Sequence, residues 1–98
     1  MYENVDEKAI IVRGKSMLPT LSEGDCVIIE KREAYEVGDI IVFEYPQEKI
    51  KRLLIHRIID INNGVYLCKG DNASRIEYVI LRKIYGKVVK VFEGFGKR

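Results

Sequence analysis

Ser16, His56 and Asp71 are the three side chains whose types could share a reaction. A serine hydroxyl is a weak nucleophile at its free pKa and needs a base to take its proton. His56 is the chain's only histidine, and imidazole is the side chain that changes charge near neutral pH. A carboxylate on the imidazole's second nitrogen would set its tautomer and stabilise the charged ring. Ser16 lies in Gly14-Lys15-Ser16-Met17-Leu18-Pro19-Thr20-Leu21, between a glycine and a proline that locks its own φ. Such constrained backbone can hold a hydroxyl outward. Taken singly, each residue has a plainer reading: loop serines are common, and a histidine beside Ile55 is more often packed than reactive.

The elements that must position these groups read as strands. Valine and isoleucine make 24 of the 98 residues (10 Val and 14 Ile), and β-branched side chains favour extended backbone. They fall in short runs: Ala9–Val12, Cys26–Glu30, Asp39–Tyr45, Leu53–Ile61, Val65–Lys69 and Ile76–Phe92, the last read as two pieces. Turn signals separate them at Ser22-Glu23-Gly24-Asp25, Val37-Gly38-Asp39, Asn62-Asn63-Gly64 and Gly70-Asp71-Asn72. Glu30–Glu36 has room for one helical turn at most. The expectation is a small, mainly antiparallel β domain covering residues 1–98.

One hairpin can be read in register. Asn63-Gly64 suits a two-residue type I′ turn, which needs positive φ at both central positions. That turn sets His56 directly across from Asp71. A three-residue loop, Asn62 to Gly64, sets His56 across from Gly70 instead, and a bulge could shift the pairing again.

Composition excludes several classes. Hydrophobic residues at 47% and charged residues at 33% describe a globular chain. The longest apolar run, Ile40-Ile41-Val42-Phe43, is far below the roughly 18 residues of a membrane helix. Met1 to Lys8 carries three acids and lacks the layout of a signal peptide. The reading is therefore a cytoplasmic chain without an anchor. A net charge of +2 is too mild to argue for nucleic acid. Residues 81–98 are basic, with Arg82, Lys83, Lys87, Lys90, Lys97 and Arg98 against Glu93, which reads as a solvated edge. Cys26 and Cys68, 42 apart, read as buried free thiols. One His and two Cys do not make a structural zinc site, and no cofactor is expected.

Several blocks carry a resemblance. Gly14-x-Ser16-Met17-x-Pro19-Thr20-Leu21 with Gly24-Asp25 resembles the nucleophile box of type I signal peptidases and their relatives, the self-cleaving repressor proteases. Val37-Gly38-Asp39-Ile40-Ile41-Val42-Phe43 resembles the strand that follows that box. Ile55-His56-Arg57-Ile58-Ile59 resembles the base-bearing strand of the histidine branch, found in archaea and the endoplasmic reticulum. Lys69-Gly70-Asp71-Asn72 resembles the Gly-Asp-Asn box, and Ile84-Tyr85-Gly86-Lys87-Val88-Val89 the closing strand. Five blocks in order span Ile10 to Val91.

The resemblance implies a coiled antiparallel sheet or partly open barrel and a serine endopeptidase acting on a peptide or precursor protein. Ser16 would attack, His56 would act as base, and Asp71 would orient it. Met17, Leu18 and Pro19 would support the substrate, which binds as an added strand. Three departures stand out. The branch's second aspartate is replaced by Glu77, six residues past Asp71. A serine common two residues before the nucleophile is Gly14 here, leaving the Ser16 N–H as first candidate for holding the oxyanion. The family's usual membrane anchor does not occur in these residues, which leaves three readings: a soluble form acting on a dedicated peptide, an anchor that has been removed, or association with a membrane-anchored partner or a membrane surface. Lys51 is the competing base, as in the lysine branch. The competing function is a catalytically weak or inactive β module that binds peptides.

Overall fold

The computed structural model describes residues 7–45, 49 and 51–95. Seven strands follow in chain order: β1 (Glu7–Ile11), β2 (Cys26–Glu30), β3 (Ile40–Glu44), β4 (Leu53–Asn62), β5 (Val65–Lys69), β6 (Ile76–Ile80) and β7 (Ile84–Phe92). A single 3₁₀ turn, Leu81–Lys83, divides the last valine-rich and isoleucine-rich run into β6 and β7. No helical turn forms over Glu30–Glu36, which is irregular past the end of β2 apart from a bend at Glu33 and Ala34. The basic carboxyl end anticipated from the sequence includes Lys97 and Arg98, which lie outside the described residues.

All pairs are antiparallel, and the sheet order is β1-β2-β7-β3-β4-β5-β6. The last strand therefore inserts between β2 and β3. Three strands separate β1 from β4, yet both line one cleft. Only a strongly curled sheet brings them together, giving a half-barrel. Twist of one hand at each strand pair accumulates into such curvature.

Two apolar clusters hold the curl. β3 is buried on both faces, which is why Ile40–Phe43 reads as an unbroken apolar run rather than an alternation. Ile41 and Phe43 join Ile58, Cys68, Val79 and Ile84 in one cluster. Val42, on the other face, joins Val12, Met17, Leu21, Val27 and Ile29. Each such side chain, fully buried, contributes about 1.5–3 kcal/mol over exposure. Met17 is thus a core residue that also ties the Ser16 loop to the sheet.

The β4–β5 hairpin closes through the two-residue turn: Asn63 has φ 51° and Gly64 φ 78°. Asn62 faces Val65, Ile61 faces Tyr66 and Asp60 faces Leu67. A bulge then intervenes at Ile59, so Ile58 faces Cys68 and Arg57 faces Lys69. The extra residue shifts the pairing by one, and His56 continues this register opposite Gly70.

Strand β4 pairs with β3 from its first residue but with β5 only from Arg57 onward. Leu53–Ile55 accordingly has one flank without a strand partner among the described residues. Among the described residues β1 likewise pairs only with β2. These two open flanks border the cleft.

Candidate active site

The Ser16 loop leaves β1 and returns to β2 as a closed excursion. The Val12 N–H donates to the Asp25 carbonyl at 2.8 Å, and the Gly24 N–H donates to the Val12 carbonyl at 2.9 Å. Inside it, the Leu18 N–H donates to Lys15 and the Leu21 N–H to Met17. The Leu18–Pro19 peptide is cis. Ser16 is half-buried and lines the cleft.

Ser16 Oγ lies 3.0 Å from His56 Nε2, and His56 Nδ1 lies 2.7 Å from Glu77 Oε1. The three atoms groups form a relay from hydroxyl to imidazole to carboxylate. A carboxylate only accepts, so Nδ1 carries the hydrogen and the Nε2 lone pair is left to accept from the serine hydroxyl. His56 and Glu77 are each 5% exposed. Phe43 packs edge-on against the imidazole at 6.1 Å between centroids. The ring is thereby fixed by a hydrogen bond on each nitrogen and an aromatic edge.

Gly70 is what permits the approach. A Cβ there would lie 2.6 Å from the Ser16 carbonyl oxygen and 3.0 Å from His56 Nε2. Neither neighbour is the loose end of a flexible side chain.

Asp71 takes a different place from the one expected of it. Its carboxylate receives Arg57 Nε at 2.9 Å and Arg57 Nη2 at 2.8 Å, and the Thr20 hydroxyl at 2.6 Å. The physical reason is the Ile59 bulge, which brings Gly70 rather than Asp71 across from His56. The ring's second nitrogen is taken by Glu77, reaching in from β6, where it shares the buried face with Val79. Arg57 first, then Thr20, hold the Asp71 carboxyl well below the usual carboxylate range, at about 2. The same contact raises the Arg57 guanidinium.

The 70–72 turn also grips the Ser16 loop. The Asn72 N–H donates to the Ser16 carbonyl at 2.7 Å, and Asn72 Nδ2 donates to the Lys15 carbonyl at 3.0 Å. The Asp71 N–H contacts Met17 Sδ at 3.3 Å. Lys69 Nζ braces the turn from behind through the carbonyls of Gly70 and Ala73. Arg57 Nη1 extends the network to the Gly38 carbonyl.

A cleft of about 250 Å³ opens beside Ser16, walled by β1 and its extension on one side and by Leu53, Leu54 and Ile55 on the other. Met17 lines it, whereas the half-buried Leu18 and exposed Pro19 do not. Sequence reasoning did not single out the β1 and β4 walls. Lys51 is exposed ahead of β4, five residues before His56. Cys68 is fully buried, and burial, then the Glu77 charge, push its thiol up to about 12. Among the described residues no cluster of His, Cys, Asp and Glu has the form of a metal site.

Comparison with known proteins assigns the class. The family model for Peptidase S24-like proteins matches residues 2–89, and the chain belongs to that family. The chain is also 34% identical, over 82 residues, to a Synechocystis protein named "Probable signal peptidase I-1". That match takes in 66% of this chain and 41% of the relative, so the chain spans about two fifths of the length of that relative. The chain thus carries a Peptidase S24-like scaffold and is similar to part of a protein named as a signal peptidase I. Among the described residues no helix is long and apolar enough to cross a membrane.

Proposed function

We propose that this chain is a serine endopeptidase that cuts an extended segment of a peptide or precursor protein, with Ser16 as nucleophile and His56 as base. The observation that carries this reading is the Ser16–His56–Glu77 relay, with contacts of 3.0 and 2.7 Å in a buried pocket opening on a cleft. Glu77, rather than Asp71, is the group that orients the imidazole.

In the first step His56 Nε2 takes the hydroxyl proton as Ser16 Oγ bonds to the substrate carbonyl carbon. The imidazolium is stabilised by Glu77 across Nδ1–H. It then returns the proton to the departing amine nitrogen as the C–N bond breaks, leaving an acyl ester on Ser16. Water repeats the sequence: His56 takes its proton, the ester C–O bond breaks, and Ser16 Oγ recovers a proton. The Ser16 N–H is the first candidate donor to the oxyanion, since Gly14 offers no hydroxyl. An oxyanion donor is worth roughly 10²–10³ in rate.

Substrate binding follows from the two open flanks. An extended peptide laid in the cleft can hydrogen-bond to a strand edge and offer alternate side chains to the apolar walls. The test is incubation with a diverse peptide pool read by mass spectrometry, with Ser16→Ala alongside. Cuts present for the wild type and absent for the variant are expected. Identical products from two folded proteins would leave a peptide-binding scaffold as the better description.

A further inference from the structure

Of the residues lining the cleft beside Ser16, one is charged. Arg13 is exposed where β1's extension turns into the nucleophile loop, while the rest of the lining is aliphatic apart from Ser16 and Met17. Other arginines in contact range of acids are paired: Arg57 with Asp71, Arg32 with Glu30. Arg13 forms no ion pair with an acid among the described residues. The nearby Glu23 carboxylate accepts the Gly14 N–H at 3.1 Å. Lys15, also exposed, adds a second positive charge beside Ser16.

We propose that Arg13 reads a carboxylate on the bound peptide, so that the segment this cleft takes combines aliphatic side chains with an Asp or Glu close to the bond presented to Ser16. This rests on the peptidase reading of Ser16 and adds the substrate class to it. Distance sets the position. Arg13 precedes Ser16 by three residues, at most about 10 Å of extended chain, so the acidic residue lies within about three residues of the scissile bond. Guanidinium and carboxylate match as a bidentate pair. Arg13 is exposed, so the pair has the modest worth of a surface ion pair and is screened by salt.

The experiment is a positional set of short peptides with a common aliphatic core, each carrying Glu, Gln or Lys at one place. Cleavage is followed by wild type, Arg13→Gln and Arg13→Glu, and binding by fluorescence anisotropy on Ser16→Ala. At one position Glu should be preferred over Gln by about three- to tenfold in kcat/KM. That preference should vanish in Arg13→Gln, invert toward Lys in Arg13→Glu, and shrink with added salt. Cleavage without an acidic preference, or a preference untouched by both variants, overturns the inference while leaving the peptidase reading intact. If nothing is cut, tighter binding of the Glu peptides to Ser16→Ala, lost on adding Arg13→Glu, upholds the Arg13–carboxylate contact and overturns its placement beside a scissile bond together with the peptidase reading. Equal binding of all peptides overturns it. Arg13→Gln serves alone if Arg13→Glu does not fold.

Discussion

His56 and Arg57 are neighbours on β4, point to opposite sides of the sheet, and each holds one carboxylate. His56 meets Glu77 in a pocket where the two side chains are 7% and 4% exposed. Arg57 meets Asp71 at the rim, with side chains 33% and 19% exposed. The first pair is dry and touches Ser16 Oγ through the ring. The second is wet and reaches the nucleophile loop through Thr20 and the 70–72 backbone. In the proposed mechanism two acids six residues apart divide the work: Glu77 tunes the base, and Asp71 keeps the nucleophile where the base can reach it.

That division can be broken from either side. Replacing Glu77 with Gln keeps an acceptor for Nδ1–H but removes the charge that stabilises the imidazolium. We expect kcat to fall by roughly 10²–10⁴ with KM little changed and thermal unfolding close to wild type. An equal loss from Asp71→Asn would collapse the distinction. Gly70→Ala acts where the two halves meet, forcing Ser16 and His56 apart. Misplacement on the ångström scale should cost about 10² in rate, with roughly 1–3 kcal/mol of stability from overpacking, read by steady-state kinetics and denaturant unfolding.

Asp71→Asn should be milder, lowering kcat/KM by about tenfold or less, because one positioning contact is loosened while the relay survives. Rescue by Asp71→Glu would argue for charge held at the rim. The smallest effect is one of pH. Arg57 and Thr20 depress the Asp71 carboxyl to about 2 in the folded state, so it favours the folded state above the unfolded value. That contribution is lost as pH falls from about 4 through 2. Unfolding midpoints measured across this window should drop more steeply for wild type than for Asp71→Asn.

The strands were legible because β-branched runs and turn residues agree: the runs at Cys26–Glu30 and Val65–Lys69 are β2 and β5 to the residue. The Asn63-Gly64 turn was legible for the same reason. The bulge at Ile59 was not, since nothing in Ile58-Ile59-Asp60 marks an extra residue, and the acid facing His56 depended on it. Glu77 was reachable only as a second acid by resemblance. Local pattern argues the other way, because Ile76, Tyr78 and Ile80 alternate with it and would be assigned to the core. In the fold those three point outward, and Glu77 shares the interior with Val79. A buried acid inverting its strand's alternation is where local preference yields to a site. The meeting of β1 with β4 was equally hidden, since it follows from curvature of the whole sheet.

The two open flanks of the cleft have a consequence for how the protein behaves at concentration. An unpaired strand edge is a template for any extended chain, including a second copy. Lys8 and Arg13 place positive charge along the β1 side, the usual guard against such pairing, whereas Leu53, 44% exposed, leaves the β4 side greasy. Colloidal stability and substrate capture then draw on one surface. A blocking peptide should keep the protein dispersed as well as silent, and a charge introduced at Leu53 should improve solubility at the expense of turnover.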